Sequence, residues 1–250
     1  MFLISDVHGA NDALREVGAR GEPLLILGDL INFIDYRTMD GIFADICGRE
    51  LVAELVGLRT MGRFEEAQER WRQFSAGRED ELRTRLDARI EEAYRGVRAA
   101  LEGAEAYVIY GNVDRPDILR RSLPDGCRFV DAEVVEIEGW KVGFVGGGVA
   151  FLGVPGELTE DQLAEKLGVL GEVDILCTHV APAVPQLSRD IIGGRRKESR
   201  AVLGYLLEAR PRWHYFGDIH QPQAVSWRVG DTLCLNLGYF RATRRAVRHG

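Results

Sequence analysis

Short apolar runs, each closed by a polar residue, recur along this chain between longer polar and helical stretches. Five of them, Phe2–Ser5, Pro23–Leu27, Glu105–Tyr110, Val173–Cys177 and Trp213–Phe216, have the length of strands. Their continuous apolar character predicts burial on both faces, as in a parallel sheet covered by helices. Between them the pattern changes period. Asn11–Arg20 reads as a helix with Asn11 as N-cap and Gly21 beyond its end; Thr159–Leu167 starts with a Thr159/Gln162 capping box; Ser199–Ala209 is helical. Arg128–Val130, Val134–Ile137 and Lys141–Val145 are predicted strands, and Val225–Val229 with Thr232–Leu237 form a hairpin around Gly230-Asp231. The basic tail, with Arg241, Arg244, Arg245 and Arg248, reads as a frayed terminus.

Residues 36–104 have a different rhythm. Apolar positions fall three and four apart: Ile42, Ile46, Val52, Leu55 and Val56; then Phe64, Ala67, Trp71 and Phe74; then Leu82, Leu86, Ile90, Tyr94, Val97 and Leu101. This predicts a helical insertion in a single domain spanning 1–250. Its charged faces are those of a solvated surface; its sharper uses are a cap over a substrate or a homodimerisation arm.

Composition narrows the class. With 250 residues and 46% hydrophobic content, a large core needs no staples. A net charge of −7 disfavours a broad face for duplex nucleic acid. The four cysteines form no Cys-x-x-Cys pair and read as reduced. No apolar run reaches membrane-spanning length and no cationic-then-apolar leader is visible, so a cytoplasmic location is the expectation.

The chemistry sits where the strands end. Asp6 with His8, then Asp29, Asn112, His179, and Asp218 with His220 each follow a predicted strand. In open α/β sheets, ligands bind outside the carboxyl ends of strands, so these distant residues can meet. Carboxylate, amide and imidazole together suit a divalent transition metal. A lone Asp-x-His is weak evidence; five endings of one kind are not. His214, inside a strand, reads as a core or supporting histidine. Gly146-Gly147-Gly148 lacks the spacing of a nucleotide-binding loop.

The ordered set Asp6-x-His8, Gly28-Asp29, Gly111-Asn112-x-Asp114, His179 and Gly217-x-x-His220 resembles the calcineurin-like metallophosphoesterase superfamily. The motifs span residues 6–220. The resemblance implies an α/β four-layer sandwich of two mixed β-sheets flanked by helices. It also implies two divalent metals, Mn or Fe before Zn or Mg. Asp6, His8 and His220 would hold the first metal, Asn112 and His179 the second, and Asp29 would bridge them. A metal-activated hydroxide would attack a small phosphomonoester or phosphodiester, a nucleotide among the candidates.

Two positions depart from the pattern. Asp218 stands where relatives carry a histidine; as a hard oxygen donor it would favour Mn, Fe or Mg. Val113 stands where many relatives carry a histidine that assists the leaving group, and Asp114 would have oriented that histidine; here it is expected to cap the following helix. Arg115 and the cations Arg195, Arg196 and Lys197 are candidates for binding substrate phosphate, and Asn32, Tyr36 and Arg37 for the pocket mouth. A nuclease of the same superfamily and an inactive scaffold are the alternatives. The net charge counts against the first and the intact first-metal set against the second.

Overall fold

The computed structural model describes residues 1–35, 38–150, 154–191 and 196–250. The chain divides into two compact units, Met1–Ile31 with Gly96–Gly250, and Asn32–Arg95.

The first unit holds two mixed β-sheets. The strands are β1 (Phe2–Ile4), β2 (Leu24–Leu27), β3 (Ala106–Ile109), β4 (Cys127–Phe129), β5 (Glu133–Ile137), β6 (Trp140–Val145), the short pair β7 (Gly148–Val149) and β8 (Glu157–Leu158), β9 (Ile175–Thr178), β10 (Trp213–Phe216), β11 (Ser226–Val229), β12 (Thr232–Asn236) and β13 (Val247–Arg248). One sheet runs β13-β1-β2-β3-β4; the other runs β11-β12-β10-β9-β6-β5. β1 to β4 are parallel neighbours, as are β6, β9, β10 and β12; antiparallel β13 finishes one edge of the first sheet, and antiparallel β11 and β5 finish both edges of the second.

The predicted double burial of the central strands follows from a core between the sheets. Met1, Leu3, Leu25, Leu27, Ile109 and Val130 from one side pack with Ile137, Val142, Phe144, Ile175, Cys177 and Tyr215 from the other. The opposite face of the second sheet packs Val145, Leu176 and Phe216 against Leu163 and Leu167 of α7 (Glu160–Gly168), Leu187 of α8 (Pro185–Ser188), and Val202 and Leu206 of α9 (Arg200–Ala209). This is an α/β sandwich of two mixed sheets with helices outside. Parallel strands that run the same way put their carboxyl ends along one edge of each sheet, which is the feature the site uses.

Three local expectations meet different outcomes. The first helix, α1 (Asn11–Gly18), begins at Asn11 itself; Ala10 is its N-cap and no side chain caps it. The tail is not frayed: β13 pairs with β1, and the His249 ring packs edge-on against Trp140, Trp213 and Tyr215. Burying β1 between two partners required a strand from somewhere, and the terminal apolar pair Ala246-Val247 was too short to signal one. The Thr159/Gln162 capping box forms as expected.

The second unit is helical, with α2 (Ile42–Cys47), α3 (Arg49–Thr60), α4 (Phe64–Ser75) and the first part of α5 (Glu79–Leu101). Gly48, at φ 89°, divides the first expected helical region into α2 and α3. Ile34, Ala44, Leu51, Val52, Leu55, Ala67 and Leu82 form its core, beside a run of neighbouring rings, Phe33, Phe43, Trp71 and Phe74. Its exposed ion pairs, such as Arg63–Glu66 and Arg85–Glu81, are screened by solvent and add little to stability. The compact unit ends at Arg95; Gly96–Leu101 of α5 lies in the first unit, where Gly18 approaches Ala104 closely. Among the described residues no helix is long and apolar enough to cross a membrane.

Candidate metal centre

The ends of β1, β2, β3, β9 and β10 bring the predicted residues together. The backbone sets them. Asp6, His8, Asp29 and Asp218 all have left-handed φ values, 58°, 41°, 54° and 64°. Each such conformation is costly for a residue with a Cβ, and four at one place mark a site held by its surroundings. The holding groups are visible. The Asp6 and His8 amides donate to the Gly28 and Asp29 carbonyls, at 3.1 and 2.8 Å, locking the loop after β1 to the loop after β2. The Asp218 amide donates to Asp6 Oδ2 at 3.1 Å, tying the loop after β10 to both.

Glycine is required at two of the joints. A methyl on Gly217 would collide with Ser5 Oγ and Asp6 Oδ2, and one on Gly111 with Asp29 Oδ1 and the Asp29 amide. The Gly111 and Gly217 motifs therefore reflect packing of backbone against ligand-type side chains.

Two triads of ligand-type atoms lie within 4.8 Å: Asp6, His8 and His220, and Asp6, Asp29 and His179. Asp6 belongs to both. Asp29 faces both as well: its Oδ2 is 3.5 Å from His8 Nε2 and its Oδ1 is 3.5 Å from His179 Nε2. His220 Nε2 lies 3.1 Å from Asp6 Oδ1. Asn112 Oδ1 is 3.3 Å and Asp218 Oδ1 3.9 Å from His179 Nε2. All seven predicted ligands thus converge.

The donor chemistry fits cations. His8 Nε2 is buried without a hydrogen-bond partner. His179 Nδ1 lies 2.7 Å from the Leu27 carbonyl, which can only accept, so Nδ1 carries the proton. Nε2 then faces the Asn112 and Asp29 oxygens, so it must present a proton to them or meet a cation lying between. The titration behaviour agrees. Burial opposes charge on His179, but Asp29, Asp218 and Asp6 outweigh it and push its pKa up to about 10. Burial likewise opposes ionisation of Asp6, yet His220 and His8 hold its carboxyl well below the usual range; Asp29 is lowered against burial chiefly by His179.

The remaining predicted residues have other placements. Asp114 is fully buried and does not cap the next helix, α6 (Pro116–Ser122), whose N-cap is Arg115 without a side-chain bond. Asp114 accepts instead from the Leu30 amide at 3.1 Å and the Gly111 amide at 2.9 Å, so it fastens the loops that carry Asp29 and Asn112. Val113 is buried; its amide donates to Asp29 Oδ1 at 3.1 Å and its side chain offers no acid. Arg115 is half-buried and Arg196 exposed. Arg195, Tyr36 and Arg37 lie outside the described residues. Asn32 Nδ2 donates to Asp40. Lys197, expected to meet phosphate, donates to Asp218 Oδ1. His214 is a core histidine, with burial lowering its pKa to about 3. A cleft of about 580 Å³ along α6 and β4 contains none of these ligands; its Arg120 lies over Phe129 and its Arg128 pairs with Glu133.

Tyr239 was missed in the sequence. Its ring stacks on His220 with centroids 4.0 Å apart and meets His8 edge-on at 5.6 Å. The next two amides, Phe240 and Arg241, donate to the Ser5 and Asp6 carbonyls. Asn236-Leu237-Gly238-Tyr239, at the carboxyl end of β12, repeats the strand-then-polar ending and was the available signal.

No family model matches this chain, and no curated protein does. Solved structures do. The chain is similar to the TT1561 protein of Thermus thermophilus, with TM-score 0.56 and 13% identity over 98% of this chain and 96% of the other. A second structure gives TM-score 0.61 and 15% identity over 96% and 90%. At such identity the likeness establishes a shared fold across nearly the whole chain.

Proposed function

We propose that this protein is a metal-dependent phosphoesterase of the calcineurin-like metallophosphoesterase type, acting on a small phosphomonoester or phosphodiester. The observation that carries the reading is the pair of buried Asp/His triads sharing Asp6, with the two oxygens of Asp29 turned separately toward His8 and His179. Three strand ends, after β1, β2 and β10, bear the conformational cost of assembling them, which a core without chemistry would not need.

Asp6, His8 and His220 would hold one cation, and Asn112 and His179 would face the other, with Asp29 between. Divalent Mn or Fe, when bound, would supply Lewis acidity for the phosphoryl oxygens and for the attacking water. The chain's own contribution is positioning. The Leu27 carbonyl takes the Nδ1 proton of His179, so Nε2 is the nitrogen that would face a cation. Asp114 holds the Asp29 and Asn112 loops in register. Val113 supplies no proton to a departing alkoxide, so the site suits leaving groups that depart as stable anions.

The test is metal content with turnover. Chain purified and reconstituted with Mn²⁺ is expected to retain metal and to hydrolyse p-nitrophenyl phosphate or bis-p-nitrophenyl phosphate, with the ratio of the two assigning mono- or diesterase character. Protein that is folded, metal-free and inactive after reconstitution would sink the reading.

A further inference from the structure

The two triads differ in what lies against them. We propose that the ammonium of Lys197 is a built-in cation in the second half of the centre, where it competes with a second metal, so that the resting protein holds one metal tightly and a second weakly. The inference rests on the phosphoesterase reading only in taking the cluster as a metal site.

Lys197 Nζ donates to Asp218 Oδ1, the same oxygen that lies 3.9 Å from His179 Nε2. A metal held jointly by His179 and Asp218 would need that oxygen, because metal–ligand bonds of about 2.0–2.2 Å on each side fill such a gap. Asp29 Oδ1 and Asn112 Oδ1, 3.5 and 3.3 Å from the same imidazole nitrogen, complete the walls. The lysine therefore sits on one wall of the space a second cation would occupy.

Its position is fixed by the chain on both sides. The Lys197 amide donates to the Ser188 carbonyl at 3.0 Å, and Ser188 Oγ donates to Glu198 at 2.6 Å. Ser199 Oγ donates to Glu160 at 3.0 Å and caps α9. Asp218 is equally constrained, with 4% exposure, left-handed backbone and its amide on Asp6. A buried carboxylate needs a partner, and Lys197 provides one without metal. Asp218 and Lys197 thus form one ion pair, the carboxylate buried and its counter-charge supplied by the chain.

Binding of Mn²⁺ to metal-stripped protein, followed by calorimetry and by electron paramagnetic resonance, tests this without reference to turnover. The wild-type chain is expected to bind one Mn²⁺ tightly and a second about 10- to 100-fold more weakly, with an uncoupled spectrum at one equivalent. Lys197→Met, which keeps the stem and removes the charge, is expected to tighten the second site by a similar factor and to show exchange-coupled Mn pairs at two equivalents. Lys197→Arg is expected to behave as wild type. Two equally tight sites in the wild type, or a second site unchanged by Lys197→Met, would overturn the proposal. Wild-type protein that binds no Mn²⁺ at all would instead remove the metal-site reading itself, and this inference with it.

Discussion

The two halves of the centre use the same residue types and solve different problems. Around His8 and His220 the supporting groups are neutral: the Tyr239 ring stacks on one imidazole and meets the other edge-on, and His8 Nε2 is left without a partner. Around His179 the supporting groups are charged or hydrogen-bonding: Lys197 sits on Asp218, the Leu27 carbonyl takes the Nδ1 proton, and Asn112 faces Nε2. The first half balances its carboxylates with imidazoles alone, which give way to an external cation. The second already holds a cation of its own. Ligand identity alone therefore does not fix occupancy; the counter-charge supplied by the chain matters as much.

The strongest way to break this distinction is to remove what the halves share. Asp6 belongs to both triads, so Asp6→Asn is expected to empty both and to lower phosphodiester turnover by roughly 100-fold or more, at the upper end of what ligand-supporting changes cost. Asp218→Asn, by contrast, is expected to spare the tight metal. Metal content of the two purified variants checks this; equal retention in both would mean that Asp6 is not shared. Next in size is Gly217→Ala. Its methyl must displace Ser5 or Asp6, an overpacking strain of about 1–3 kcal/mol, and the lost metal should come from the first half. A urea midpoint like that of wild type would show that the joint yields. Smaller again is Tyr239→Leu, expected to weaken the tight metal by about 2- to 10-fold, the value of one ring contact of about 0.5–1.5 kcal/mol, while Tyr239→Phe keeps it. A Phe variant as weak as the Leu variant would shift the role from the ring to the hydroxyl.

The sequence carried the strand ends and their ligand-type residues, because a central parallel strand must be apolar throughout and can turn polar only where it leaves the core. All seven ligand-type residues were legible for that reason, as was the helical character of the insertion. What was not legible depends on partners far apart in the chain. Lys197 looked like part of a solvated basic loop because its partner, Asp218, is 21 residues away and buried. Asp114 looked like a cap because the amides it serves, Leu30 and Gly111, belong to two different loops. Tyr239 follows a strand that ends in Asn236, a signal of place alone; its role depends on His220 and His8, far from it in the chain. The terminal strand β13 has two residues, too few to show a period.

The smallest expected effect concerns the group behind the second half. The Thr178 hydroxyl donates to the Val180 carbonyl at 2.7 Å, so it must accept from His214 Nε2, 2.9 Å away; His214 is thus a neutral donor under the strand end that carries His179. Burial lowers its pKa to about 3. The unfolded chain takes a proton at His214 near the ordinary value of about 6.5, and the folded chain does not until about pH 3. Stability from this group is therefore complete above pH 6.5 and is lost as pH falls toward 3, with a slope of at most about 1.4 kcal/mol per pH unit. The raised pKa values of His8 and His179 act in the opposite direction and above pH 6.5, and the lowered Asp6 and Asp29 act below about pH 4. The interval from pH 6.5 to 4 thus belongs to His214, with a same-sign contribution from the less buried His249. Urea unfolding of metal-free His214→Gln across that interval should be flatter than wild type by up to one proton. An unchanged slope would mean that the fold admits a proton at His214, and the neutral support assigned to the second half would have to be given up.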